Sequence, residues 1–447
     1  MKATEAVRTD IRWQRIFSEQ RVLGLIGLAI VLTLHLQAMP VELKIQNFFI
    51  SSAIALFAFP FVMRKIPKSP LLTSILVFSA FVFLHSVVAL VADFFVTPYA
   101  EIRFLSWMRQ FFALLAGVMT FLVFRAVFLR VPLQKVLFLL LIAAIPGLVL
   151  AFMNILWGAF QVQWARDIVV GVRSVLTPEG STSALRASGF AMEPSSFAAL
   201  LVILFFPVLF VRLLNHSMRL RDLLLIGLSL LAFSWTFSLT GVLLLMVFGV
   251  SGLIFGPRRP LFAQALMIIA ALVIVFVVLF PNNQILRHAG VLIAGGANVS
   301  FTDRWYGLAA PFLAMFDSYS MIGYGLGGVA THFDELVPKS VQAEILAVKW
   351  KEFPNLATII GRIFAEGGAI GLMLFLAIFW VAFRQVSILI RHAREDGSFI
   401  TYATIRLSLL AVLASLFFAT GSYHTPFIWL WLAMADSEYV SHRLEKS

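Results

Sequence analysis

Long apolar runs follow one another through this chain, separated by short breaks that carry arginine and lysine. A bilayer core needs about 20 apolar residues in helical form, so each run predicts a transmembrane helix. The runs read as spans over Val22–Met39, Phe48–Met63, Leu71 to about Asp93, Phe104–Phe124, Pro132–Met153 and Phe197–Leu214. Leu223–Gly256 is too long for one helix at a rise of about 1.5 Å per residue. It breaks near its middle at Ser238-Leu239-Thr240-Gly241, which predicts two spans joined by a turn. Leu261–Phe280, Gly367–Phe383, Tyr402–Thr420 and Thr425–Ala435 complete a set of twelve.

The basic residues orient that set. Arg64, Lys65 and Lys68, then Arg125 and Arg130, then Arg212, Arg219 and Arg221, then Arg258 and Arg259, all fall at alternate breaks. Those breaks and the two chain ends are therefore cytoplasmic, as the positive-inside rule requires. Residues 1–21 carry five basic side chains around Ile11, Trp13, Ile16 and Phe17, a pattern for a helix lying on the cytoplasmic leaflet. The run after them is long enough to span and has no small-residue cleavage site, so it reads as a retained first helix rather than a signal peptide.

Composition agrees with the pattern. With 61% hydrophobic and 13% charged residues and a mean hydropathy of +0.96, the 447 residues form one all-α, polytopic integral membrane domain, 1–447, with no soluble domain of ordinary size between the spans. The net charge of +12 is accounted for by orientation and anionic headgroups, so membrane lipids and not nucleic acid are the expected surface partner. Without cysteine the chain has no disulfide, thiol chemistry or Cys-ligated metal.

Two outward connections are longer than the others: 154–196 and 281–366. Loops of that length in a compact protein are functional or disordered. The second is rich in aromatic and apolar residues, which predicts helices lying over the membrane face. The first ends in Leu185-Arg186-Ala187-Ser188-Gly189-Phe190-Ala191-Met192-Glu193-Pro194-Ser195, ionisable groups at the mouth of an apolar span, where they are costly to hold and point to function.

Arg186, Gly189 and Glu193-Pro194-Ser195 resemble an Arg-x-x-Gly…Glu-Pro-Ser element that opens a helix in many polysaccharide polymerases. Arg304-Trp305 followed by Gly323-Tyr324-Gly325-Leu326-Gly327 resembles an Arg-Trp…Gly-x-Gly-x-Gly element, and Asn355, Arg362, Glu366, Gly367, Gly368 and Gly371 resemble the entry to the next helix. In this order the chain resembles the bacterial O-antigen polymerase and O-antigen ligase superfamily, membrane glycosyltransferases of the GT-C type. The resemblance covers about the second half of the chain. It implies an enzyme of the bacterial cytoplasmic (inner) membrane that polymerises polyprenyl-diphosphate-linked oligosaccharides into O-antigen-like or exopolysaccharide chains on the outer face. Its implied partners are a lipid-linked donor, a lipid-linked acceptor and a chain-length regulator. Ligases, which transfer the finished glycan to lipid A-core, commonly carry His-Asn where this chain has Pro354-Asn355, and that difference favours the polymerase.

The chemistry assigns roles. A polyprenyl diphosphate leaves with developing negative charge, which planar guanidinium groups stabilise without a metal. Arg186 and Arg304 are the first choices for diphosphate binding, followed by Arg362, Arg109 and Arg103. The acceptor hydroxyl must lose a proton to a carboxylate or imidazole; Glu193 and His332 are the candidates, with Glu366 behind them. Each has a structural alternative: an Arg186–Glu193 ion pair closing the loop, a local Asp303–Arg304 pair, a helix-start role for Glu366, and a tight turn rather than a phosphate cradle for the glycines at 323, 325, 327 and 328. No Asp-x-Asp lies in an outward loop, so neither a metal nor another cofactor is expected. A lipid-linked oligosaccharide flippase is the reading from another class; it should carry internal repeats, and the two halves of this chain are dissimilar.

Overall fold

The computed structural model describes residues 49–62, 67–96, 100–176, 186–191, 193–214, 220–256, 299–317, 321–339, 356–393, 398–419 and 421–446, with a few isolated positions. The described residues are helical, with no strand among them. In chain order the helices are α1 (Phe49–Val62), α2 (Pro70–Val96), α3 (Ala100–Phe128), α4 (Leu133–Phe160) and α5 (Gln163–Leu176). Next comes α6, in which Pro194–Leu200 continues through a π-helical segment, Leu201–Phe205, into Phe206–Leu214. It is followed by α7 (Leu220–Ser234), α8 (Leu239–Phe255) and α9 (Val299–Asp317). A 3-10 turn at Gly328–Ala330, the short α10 (Phe333–Leu336), α11 (Ile359–His392), α12 (Phe399–Phe418) and α13 (Pro426–Lys446) complete it.

Among the described residues, six helices are long and apolar enough to cross a membrane: Pro70–Phe95, Glu101–Phe128, Leu133–Phe160, Pro194–Leu213, Ile359–His392 and Phe399–Phe418, with Leu239–Phe255 a shorter apolar helix. The chain is thus a membrane-embedded helical protein. The expected first and ninth spans, Val22–Met39 and Leu261–Phe280, lie almost wholly outside the described residues, as does Pro354-Asn355. The break expected at Ser238-Leu239-Thr240-Gly241 is present between α7 and α8.

The largest departures from the expected bounds are in α11 and α13, and α4 also runs past Met153 to Phe160. The span expected to open at Gly367 begins at Ile359, where the Thr358 hydroxyl caps the helix by accepting from the Gly361 N–H at 3.3 Å. At Gly368 the backbone leaves helical geometry, with φ 63°. A hydropathy pattern registers the apolar half of such a broken helix and misses the polar turns before it. Similarly, α13 runs past the expected end at Ala435 to Lys446, because Asp436 and Ser437 are buried polar residues inside the bundle rather than its exit.

Helix α13 lies inside the bundle, packed against α3, α11 and α12. From Phe427 to Ala435 every α13 side chain is buried, Trp429 and Trp431 completely. The Trp431 indole donates to the Ile203 carbonyl at 3.0 Å. That carbonyl belongs to the π-helical segment of α6, and π segments leave backbone acceptors partly unused within the helix. Trp429 donates to the Tyr423 carbonyl at 2.6 Å and lies against Gly117 of α3, where a Cβ would meet its ring nitrogen at 2.4 Å.

Polar contacts sort the helix ends into two groups. At one end Asp436 accepts from Ser69 Oγ (2.7 Å), Arg125 Nε (2.5 Å) and Gln385 Nε2 (2.9 Å), while Arg125 also donates to the Pro67 carbonyl (2.7 Å). At the other lie Asp93 and Arg103, near the C-terminus of α2 and the N-terminus of α3. Helices α2 and α3 therefore run in opposite directions. Both Arg125 and Asp436 are fully buried, and deleting one partner of such a pair costs roughly 3–5 kcal/mol because the other charge is left in low dielectric. Asp436→Ala is expected to lower the thermal midpoint of detergent-solubilised protein strongly, while Asp436→Ala combined with Arg125→Met recovers much of the loss; size-exclusion thermal challenge reads both.

Candidate functional site

Three stretches far apart in sequence converge where α6, α8 and α9 begin. Residues 186–191 form the approach to α6, which Pro194 starts at its first position, where a missing N–H is least costly. The loop is held against the α7–α8 turn: the Ala187 N–H donates to the Trp235 carbonyl at 3.0 Å. Arg186 then donates from Nε to the Thr236 carbonyl (2.8 Å) and from Nη2 to the Phe237 carbonyl (3.2 Å). Phe237 has φ 46°, the left-handed region that a bulky L-residue rarely adopts. Ser238 then caps α8 by accepting from the Gly241 N–H at 3.0 Å. Gly241 lets α8 approach α6 closely, since a Cβ there would lie 2.5 Å from the Ala198 Cβ.

The approach brings Thr240 and Ser195 to the same guanidinium. Arg304, on the first turns of α9, donates from Nη1 to Thr240 Oγ1 and from Nη2 to Ser195 Oγ at 3.1 Å. Glu193 completes the group, with Oε2 3.8 Å from Arg304 Nη2 and accepting the Ser195 hydroxyl at 3.0 Å. Glu193 is 66% exposed and Arg304 24% exposed, so the group opens on one side. Burial pushes the Arg304 guanidinium down from its ordinary value, with Glu193 and Asp303 opposing. Burial does the same to Arg186, where Glu193 opposes and Arg304 adds to the shift. Both remain cations at neutral pH, and the two guanidinium groups stand with two carboxylates, Glu193 and Asp303, of which Glu193 is exposed and open to exchange for another anion.

Of the candidate residues, the structure brings Arg186, Arg304 and Glu193 together. Arg103, His332, Arg362 and Glu366 gather elsewhere, around the glycine-rich segment. Arg103, fully buried, donates from Nε to Asp93 (2.6 Å), from Nη1 to the Leu326 carbonyl (2.6 Å) and from Nη2 to the Tyr324 carbonyl (2.8 Å). The Glu366 carboxylate accepts from the Gly327 N–H (3.0 Å) and the Tyr423 hydroxyl (2.8 Å), with Arg362 Nε at 3.5 Å. Arg362 donates to the Gly421 carbonyl at 2.6 Å. Arg109 lies on α3, the same helix as Arg103.

The glycines form a tight turn. Gly323, Gly325 and Gly327 all have positive φ, and a Cβ on Gly327 would sit 2.5 Å from the Ser106 backbone. The segment fills the break in α11: Tyr324 and Gly325 donate to the carbonyls of Ala365 and Glu366, and Ala369 donates back to Met321. Glu366 thus sits inside α11, beyond its capped start. His332 stacks on Tyr324 at 4.2 Å, with Nε2 3.6 Å from Asp93 and Nδ1 3.5 Å from Glu335. Burial and Glu335 push the Tyr324 phenol up to about 12, so it stays a donor to Glu335 (3.2 Å). No group of three or more His, Asp or Glu side chains that could hold a metal occurs among the described residues.

Sequence reasoning does not select Thr240, Ser195, Asp93 or Tyr423 as site residues. Thr240 carries a signal all the same: it belongs to a polar break in the apolar run Leu223–Gly256, a break that reads as a turn alone. No protein-family model matches the chain, and no curated protein matches it.

Gly241→Ala is expected to push α8 from α6 and separate Thr240 from Ser195, at about 1–3 kcal/mol of overpacking. Cysteines placed at Ser195 and Thr240 in this naturally cysteine-free chain should crosslink through a short bifunctional reagent faster when Gly241 is retained than in the Gly241→Ala background.

Proposed function

We propose that this protein is a metal-independent membrane glycosyltransferase, a polysaccharide polymerase that lengthens lipid-linked glycans on the outer face of the bacterial cytoplasmic membrane. Its chain would cross twelve times with both termini cytoplasmic. The observation that carries this reading is the convergence of the two resembling loop elements on Arg304, which stands 109 residues from Ser195 in the sequence. Arg304 also differs from three other candidate arginines in what it touches. Arg103, Arg186 and Arg362 donate to main-chain carbonyls, whereas the bonds of Arg304 run to two hydroxyl groups and toward an exposed carboxylate.

In the reaction the acceptor sugar hydroxyl attacks the anomeric carbon of the donor glycan. The bond from that carbon to the diphosphate oxygen breaks, and the electron pair leaves with polyprenyl diphosphate. Arg304 is placed to meet the developing charge, and Arg186 adds to the positive field. The acceptor proton passes to Glu193, which stands beside Arg304, whereas His332 belongs to the separate group on the glycine-rich segment.

The test is glycan output in cells lacking this protein, complemented with wild type, Arg304→Lys or Arg304→Gln at matched membrane abundance. Wild type should restore a polymer ladder, Arg304→Gln should reduce it by about 10²–10³-fold, and Arg304→Lys should recover only part. A knockout that keeps long polymer on the polyprenyl carrier would support the ligase reading; repeat units retained on the cytoplasmic side would support a flippase.

A further inference from the structure

The guanidinium of Arg304 is held by side chains that themselves depend on a strained turn. Thr240 is buried, so its hydroxyl is not a general surface group, and its oxygen accepts from Arg304 Nη1. Ser195 accepts from the neighbouring Nη2. Two fixed acceptors on the two terminal nitrogens define the plane of the guanidinium, and a planar fork binds phosphate oxygens well only when its plane is set. The position of Thr240 follows from the turn before it, where Phe237 is left-handed and both the Thr236 and Phe237 carbonyls are held by Arg186. A bulky residue persists in that region only where its surroundings over-determine it.

We infer that Thr240 is a positioning residue of the anion site, that with Ser195 it sets the plane of Arg304 for a diphosphate ligand, and that Arg186 acts on the same ligand chiefly by holding the turn that carries Thr240. The assignment rests on the proposed function for the identity of the ligand. It divides the labour between two arginines that look equivalent in sequence: Arg304 meets the anion, and Arg186 fixes the contacts behind it.

The test uses full-length protein in detergent, with inorganic pyrophosphate and farnesyl diphosphate as probes. Thr240→Val is expected to weaken binding of both about tenfold, and Thr240→Ser to restore it to within about twofold. In an Arg304→Gln background Thr240→Val should change nothing further, since the pair acts as a unit. Should Thr240→Val fail to fold, Ser195→Ala, at a half-exposed position, must show the same loss and the same silence in the Arg304→Gln background. Unchanged binding by Thr240→Val, failure of Thr240→Ser to rescue, or additivity with Arg304→Gln would each overturn the inference while leaving the proposed function standing. A folded wild-type protein that binds neither probe would remove both.

Discussion

Main-chain carbonyls that leave helical geometry inside a membrane protein must find donors within the protein, because the bilayer core offers none. In this chain arginines supply them. Arg103 serves the Tyr324 and Leu326 carbonyls, Arg125 that of Pro67, Arg186 those of Thr236 and Phe237, and Arg362 that of Gly421. Each of these carbonyls lies in a segment between helices. A guanidinium suits the task because it carries five N–H donors in a fixed plane and can hold a carbonyl and a carboxylate together, as Arg103 and Arg125 do. The irregular parts of the fold are thus tied by buried charge, and the charges of Arg103, Arg125 and Arg362 are in turn balanced by Asp93, Asp436 and Glu366.

Much of the architecture was legible in the sequence because the bilayer imposes a period and a length. The apolar runs at Leu71, Phe104, Pro132 and Phe197 correspond to helices, and the break at Ser238–Gly241 was visible as hydroxyls and glycine in an apolar run. The early start of α11 was not legible, because the residues before Gly367 include Arg362 and Glu366, which read as loop until their partners Gly421, Tyr423 and Gly327 are known. The glycine-rich segment illustrates the same limit. Its composition fits either a phosphate cradle or a turn, and what separates them is the distance from Gly327 to the Ser106 backbone, a contact across 221 residues of sequence.

For the site, the sequence offered charged residues as candidates, but could not say where their donors go. Arg186 and Arg304 have similar standing as letters in a motif. In the structure, Nε and Nη2 of Arg186 are given to backbone carbonyls, and the terminal nitrogens of Arg304 are given to hydroxyls. A guanidinium bound to carbonyls braces the chain, while one bound to hydroxyls beside an exposed carboxylate retains the capacity to exchange a contact for a ligand oxygen.

The π-helical segment of α6 has a geometric consequence. One additional residue in an α-helix turns everything beyond it by about 100°, so Pro194–Leu200 and Phe206–Leu214 do not share an azimuth. Ser195 at one end and Arg212 at the other are therefore aimed independently, one at Arg304 and one at Asp222, although they stand on a single continuous rod. Trp431 clamps the rod at that point of phase change, so the dihedral offset between its two ends is fixed by an indole inside the bundle.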